Sequence, residues 1–225
     1  RVLVGGPTVP FRPESLRTRL TPKHTAFLRV AEGCDHACTF CAIPGFRGKF
    51  RSKPWDDLIL EAQHLADSGV RELNLIAEDT NQYGTDFGSK DKRRLDDLLY
   101  ALAEIDGIKW IRLLYCYPSY FSENLVKAIA DIPKVVKYID IPLQHISDKV
   151  LKAMNRPSKD HTLKILQRLR AQVETSEQSL TLRTTFISGF PGETAADHRE
   201  LVDFLKEFKF VRAGVFSYSA EEGTA

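Results

Sequence analysis

The residues best suited to chemistry are Cys34, Cys38 and Cys41, three thiols at spacings of four and three within Cys34-Asp35-His36-Ala37-Cys38-Thr39-Phe40-Cys41. Four thiolates normally hold a cubic iron–sulfur cluster. Three from one loop leave one iron without a protein ligand, so that the cluster can bind a substrate as well as pass electrons. The alternative is structural zinc, with His36 completing a Cys3His set. Zinc sites usually pair two Cys-x2-Cys knuckles, or a knuckle with a His pair, and the sequence holds no second pair. A disulfide scaffold is disfavoured, because a 225-residue chain buries a core without covalent staples. Cys116, the fourth cysteine, lies in Leu113-Leu114-Tyr115-Cys116-Tyr117 and reads as a core or lumen residue.

Composition sets the frame around these thiols. The chain is 43% hydrophobic with mixed charge and a net charge of +2, which fits one ordinary soluble domain. No apolar run approaches the roughly 18 residues of a membrane span, and no signal-peptide pattern opens the sequence. Free thiols in a ligand arrangement predict a reducing, cytoplasmic setting. Residues 1–53 hold ten Lys/Arg against three Asp/Glu. That bias reads as a solvated face, or as a basic rim around an anionic cluster or facing an RNA-rich partner.

The elements that position the thiols follow a regular alternation. Residues 1–25, with four prolines and a Gly-Gly, read as an arm or linker from a preceding domain, and 26–225 as the domain proper. A strand over 26–30 runs into the cysteine loop. A helix then opens at Pro54 and stops at Ser68-Gly69. Further strands are predicted over 72–77, 110–115, 136–141, 180–187 and 214–218. Helices are predicted over 95–105, from Ser122 to Asp131, from Ser147 or Asp148 to about 154, and over 160–174 with Asp160 as cap. A last helix follows the Thr194/Asp197 capping box. Six strand–helix units in order imply an α/β fold: a parallel, curved sheet with outer helices, a partial (β/α)6 barrel. Chemistry in such sheets sits beyond the carboxyl ends of the strands. The cysteines, Glu78-Asp79, Gln144-His145 and 189–193 all fall there, which predicts an enzyme.

A Cys-x3-Cys-x2-Cys loop after the first strand resembles the radical S-adenosylmethionine (SAM) superfamily, over essentially the whole chain. Five strings narrow the resemblance: Glu32-Gly33-Cys34; Ile43-Pro44-x-Phe46-Arg47-Gly48 with Arg51-Ser52; Asp79-Thr80-x-x-Tyr83-Gly84; Ile139-Asp140-Ile141-Pro142-Leu143-Gln144-His145; and Arg183-Thr184-Thr185-Phe186-Ile187-x-Gly189-Phe190-Pro191-Gly192-Glu193. These look like the methylthiotransferases, which add a methylthio group to an unactivated C–H bond. Asp79-Thr80, the Asp140–Ile146 string and Met154-Asn155-Arg156-Pro157 are more similar to the branch that modifies the β-carbon of an aspartate in small-subunit ribosomal protein twelve than to the tRNA-modifying branch.

The resemblance implies a set of roles. Cys34, Cys38 and Cys41 would hold a 4Fe–4S cluster whose open iron takes the amino and carboxylate groups of SAM. Reductive cleavage of SAM would then yield a 5′-deoxyadenosyl radical, with electrons from a reductive donor. Phe40, Phe216 and Phe190 would lie near the adenine. Glu78 would face the SAM amine, although the superfamily's usual Gly-Gly-Glu is here Ala77-Glu78-Asp79. Arg183 would hold the SAM carboxylate or make a structural ion pair. Thr185 and Gln144 would reach ribose or methionine atoms, and His145 reads as a lumen polar residue or a satisfied core histidine. The family also carries a second 4Fe–4S cluster on a domain before the barrel and a small β domain after it, so the chain reads as the catalytic core of a longer protein. The expected partner is the ribosomal protein, with tRNA as alternative and no membrane. From another class, a zinc-stabilised RNA-binding module would also explain the thiols and the basic start.

Overall fold

The computed structural model describes residues 19–224. Most of the arm expected over 1–25 lies outside them. The chain runs β1 (Thr25–Arg29), β2 (Ala31–Glu32), α1 (Ile43–Arg47), β3 (Arg51–Ser52), α2 (Trp55–Asp67), β4 (Glu72–Ile76), α3 (Leu95–Ala103), β5 (Trp110–Leu113), α4 (Glu123–Asp131), β6 (Val135–Asp140), α5 (Asp148–Ala153), α6 (Lys159–Val173), β7 (Thr181–Ser188), α7 (Ala195–Phe208) and β8 (Arg212–Ser217). Six strands form one all-parallel sheet in the order β1-β4-β5-β6-β7-β8, and β2 pairs with β3 in a separate antiparallel ladder. The strand order equals the chain order, as consecutive right-handed crossovers require. No described helix is long and apolar enough to cross a membrane.

The two faces of the sheet differ. Along β1, β4 and β7 every second residue is buried: Ala26 and Leu28, Leu73 and Leu75, Leu182, Thr184 and Phe186. The apolar ones belong to the core with Leu58, Leu98, Leu125 and Leu166 of the helices. Parallel sheets are usually apolar on both faces, but here the opposite face carries polar side chains. Asn74 donates to Thr25, Arg112 pairs with Glu72 at 2.8 Å and lies over the Tyr138 ring, and Arg183 pairs with Asp140. A face of this kind suits a polar ligand.

Local chemistry explains most boundaries. Ser122 caps α4 by accepting from Leu125 N, and the Thr194/Asp197 capping box opens α7 as expected. The cap expected at Asp160 is instead Ser158, whose Oγ accepts from His161 N. Asp160 falls in the first turn of α6, where its charge suits the helix N-terminus and Lys164 pairs with it one turn on. Two features went unread in the sequence, α1 and the β2/β3 ladder. Both are too short for a periodic signal, and both brace the cysteine loop. Cys34 N donates to Gly48 O and Phe50 N donates to Asp35 Oδ1. Gly33 lies at φ +77°, where a Cβ would sit 2.2 Å from Lys49 O and 2.6 Å from Gly48 O, so the residue before the first thiol must be glycine.

Candidate cluster and SAM site

The segment after β1 brings Cys34, Cys38 and Cys41 to one cavity of roughly 120 Å³ beyond the carboxyl ends of the strands. His36, Phe40, Glu78, Tyr117, Gln144 and Arg156 share its walls. Burial pushes the Cys34 thiol up to about 11 and raises Cys41 as well, with backbone hydrogen bonds opposing in both cases. Coordination to such thiols therefore releases protons. Among the described residues, no three His, Cys, Asp or Glu side chains converge on a single metal ion. The zinc alternative needs such convergence, with all ligands about 2.0–2.3 Å from one point. A cubic cluster spreads its thiolates over different irons, so sulfurs around one cavity suit it. His36 is otherwise engaged: Nε2 lies 2.7 Å from Asp79 Oδ2, and the ring stacks on Tyr117 at 3.6 Å.

The loop is fastened on two sides. Buried Asp79 holds His36 and also accepts from Tyr117 N at 3.2 Å. Across the site, the end of α5 grips the middle of the loop. Thr39 donates through N to Met154 O and through Oγ1 to Ala153 O, and Asn155 Nδ2 donates to Ala37 O at 2.9 Å. The expected outcome for Asp79→Ala is an iron-binding affinity lower by about 10–100-fold, the usual cost of removing a group that orients metal ligands. Iron retained against a competing chelator measures it.

Glu78 Oε2 and Gln144 Oε1 are both buried and without hydrogen-bond partners, and both residues line the cysteine cavity. Two orphaned acceptors beside the thiols fit a ligand that brings donors, because an unsatisfied buried acceptor is costly. Gln144 adopts φ 73° and is fixed by backbone hydrogen bonds with Thr185 and Ile187. The outer edge of the Glu78 carboxylate lies 3.8 Å from Arg47, which also pairs with Glu32. A second cavity of roughly 360 Å³ shares Phe40 and Gln144 with the first and is lined further by Thr185, Ile187, Phe216 and Tyr218. Its volume lies in the range of small-molecule sites. Phe40 packs against Val150, Met154 and Phe190 between the two cavities, and Phe216 stands 63% exposed on the edge strand β8.

Arg183 lines neither cavity. Its Nη1 bonds Asp140 Oδ1 at 2.6 Å, since β6 and β7 pair the two residues directly in register. The ion pair weighed for it from the sequence is therefore present, and the SAM-carboxylate role would require that guanidinium to serve two anions. His145 is fully buried, with Nδ1 accepting from Ser147 N, but Nε2 lies 3.5 Å from Glu193 Oε1 without a hydrogen bond, so the core histidine is satisfied at one nitrogen only. Burial lowers its pKa against the pull of Glu193. Cys116 is fully buried in the core, and burial holds its thiol well above the usual range. A larger groove of roughly 700 Å³ between α6 and α7 holds none of the expected site residues. Sequence reading missed Asp79 as the anchor of His36, and it gave Tyr117 and Arg156 no role. Asn155-Arg156 stood in a quoted string without a role.

The family described as the Radical SAM superfamily matches residues 28–205, from β1 through most of α7. The chain belongs to the radical SAM superfamily. Its six-stranded parallel sheet is that of a radical SAM fold. The chain is 49% identical over 211 residues to "Ribosomal protein uS12 methylthiotransferase RimO" of Desulforamulus reducens, covering 93% of this chain and 46% of that protein. It is also 49% identical over 225 residues to the protein of the same name from Anaeromyxobacter sp. (strain K), covering 100% and 47%. The chain thus spans about half the length of the curated relatives it matches. Among solved structures, the radical SAM methyltransferase TsrM of Kitasatospora setae with tryptophan and a SAM analogue superposes with TM-score 0.68 at 16% identity, over 92% of this chain and 42% of that one. Coproporphyrinogen III oxidase (HemN) from Escherichia coli gives 0.61 at 14%, over 87% and 44%. At these identities the likeness is one of fold.

Proposed function

We propose that the chain is the catalytic core of a methylthiotransferase that modifies the β-carbon of an aspartate in ribosomal protein uS12. The observation that carries this reading is the 46–51% identity to proteins of that name over more than nine-tenths of the chain. Cys34, Cys38 and Cys41 would hold a 4Fe–4S cluster, with SAM reaching from the cysteine cavity into the adjoining one past Phe40 and Gln144. When bound, these cofactors supply one-electron cleavage of SAM and hydrogen abstraction from an unactivated carbon. The protein's own work is placement. Glu78 and Gln144 offer acceptors to an ammonium or hydroxyl, Phe40 and Phe216 offer apolar surface to a flat base, and Thr185 adds a hydroxyl. Arg183 would help hold the SAM carboxylate only by sharing itself with Asp140. The setting is cytoplasmic, where uS12 and a reductive electron donor are at hand.

The remaining length of the relatives would carry the second 4Fe–4S cluster, and residues 1–25 would lead from it into the barrel. The full-length polypeptide, reconstituted anaerobically and given SAM, a reductant and uS12, is expected to add one methylthio group to an aspartate, read by mass spectrometry of the uS12 peptides. The 225-residue chain alone is expected to cleave SAM and leave uS12 unmodified. Methylthiolated product from this chain alone would overturn the division of labour. Product on tRNA with uS12 untouched would overturn the substrate.

A further inference from the structure

Arg156 is an unexplained cation beside the thiols. It follows α5 through Asn155, whose φ of 53° turns the chain back towards the cysteine loop. Its Nη1 lies 3.8 Å from Cys38 Sγ, its Nη2 donates to Pro142 O, and its guanidinium carbon sits 4.1 Å from the centroid of the Tyr117 ring. Tyr117 in turn stacks on His36. The Nε of Arg156 is buried without a partner, and among the described residues no carboxylate pairs with this guanidinium.

A half-buried guanidinium stays protonated and is costly without a counter-charge. Its other contacts, the Pro142 carbonyl and the Tyr117 ring, are neutral, so an anion filling the cavity would serve as its counter-charge. A cluster on three thiolates is anionic and gains one further negative charge on reduction. A fixed cation with an N–H aimed at one ligand sulfur favours the reduced form, since net charge and hydrogen bonds to sulfur are main determinants of cluster potential.

We propose that Arg156 is a positioning residue that is held on Tyr117 against Cys38 and raises the reduction potential of the cluster, so that a cytoplasmic one-electron donor can reduce it. The inference rests on the cluster reading above. In the step concerned, one electron passes from the external reductant to the cluster, no bond forms or breaks, and Arg156 keeps its proton.

The test is a redox titration followed by electron paramagnetic resonance, with titanium(III) citrate as reductant and no SAM, on wild type, Arg156→Gln, Arg156→Lys and Tyr117→Leu at matched iron content. Arg156→Gln is expected to be at least tenfold less reducible, a midpoint lower by about 59 mV for a one-electron couple. Arg156→Lys keeps the charge without the planar fork and should shift less in the same direction. Tyr117→Leu, which removes the platform, should also shift downwards. A merely structural contact would alter iron content or stability and leave the potential in place. Wild-type potential in Arg156→Gln overturns the inference. If that variant takes up no iron, unchanged potentials in the Lys and Leu variants overturn it instead. A wild type that fails to take up about four irons overturns the cluster reading as well. A loaded wild type with unshifted variants overturns the role of Arg156 alone.

Discussion

Alanine at Cys34, at Cys38 or at Cys41 lowers SAM cleavage more than about 100-fold, because even groups that only orient ligands cost about 10–100-fold. Each variant should take up far less than the wild type's expected complement of about four irons and four sulfides. Cys116→Ala is the control. Its sulfur lies in the core, away from the cavity walls, so iron and sulfide stay at wild-type levels while some stability is lost to the small void. Iron and acid-labile sulfide, determined beside reductive cleavage of SAM, read both arms. Full iron loading in any one of the three single variants would falsify the ligand assignment. Loss of iron in Cys116→Ala, with its fold intact, would place the fourth cysteine in the cluster.

The second large effect concerns stability. Lys53 is fully buried, and its ammonium bonds Glu61 of α2. The backbone of Lys53 is also in use, with N donating to Val30 O and O accepting from Tyr83 Oη. The residue therefore joins β3 to α2 and to the turn after β4, directly behind the cysteine loop. Removing one member of a buried ion pair costs about 3–5 kcal/mol. For a chain of this size, each kcal/mol shifts the melting temperature by about 2–4 °C. Lys53→Met should thus melt about 6–20 °C below wild type. The double variant Lys53→Met/Glu61→Met should recover most of that loss, since an apolar pair often replaces a buried ion pair with little change. Calorimetry of the two variants decides it. A double variant as unstable as the single one would show that Lys53 acts through packing alone.

The strand–helix order could be read from the sequence with errors of one or two residues, because each element carries its own period. Leu58, Leu65 and Ala62 mark the buried stripe of α2, and alternate residues mark β1, β4 and β7. The ends were less legible. Ser158 and Asp160 are both good helix-capping residues, and only the backbone path after Pro157 selects the serine. The ladder of β2 with β3 has two residues on each side, too few for any periodic signal.

The site divides in the same way. Three thiols in eight residues declare themselves, because their spacing is local and their chemistry is narrow. Glu78 and Gln144 were legible as loop residues beyond strand ends. Their unpaired oxygens were not, since lacking a partner is a property of the surroundings. Arg183 had two readings, and the direct pairing of β6 with β7 gives it Asp140.

By itself, the sequence determined the clustering of three thiols in one loop, the parallel alternation of strands and helices, and the gathering of suspect loops at one end of the sheet. All three follow from short-range spacing. The tertiary structure alone decided that Asp79 holds His36, that Arg156 reaches Cys38 across 118 positions of chain, and that one sheet face is polar. Those contacts join side chains on separate loops of a parallel sheet. Their distances depend on strand register and loop path, which no local pattern records.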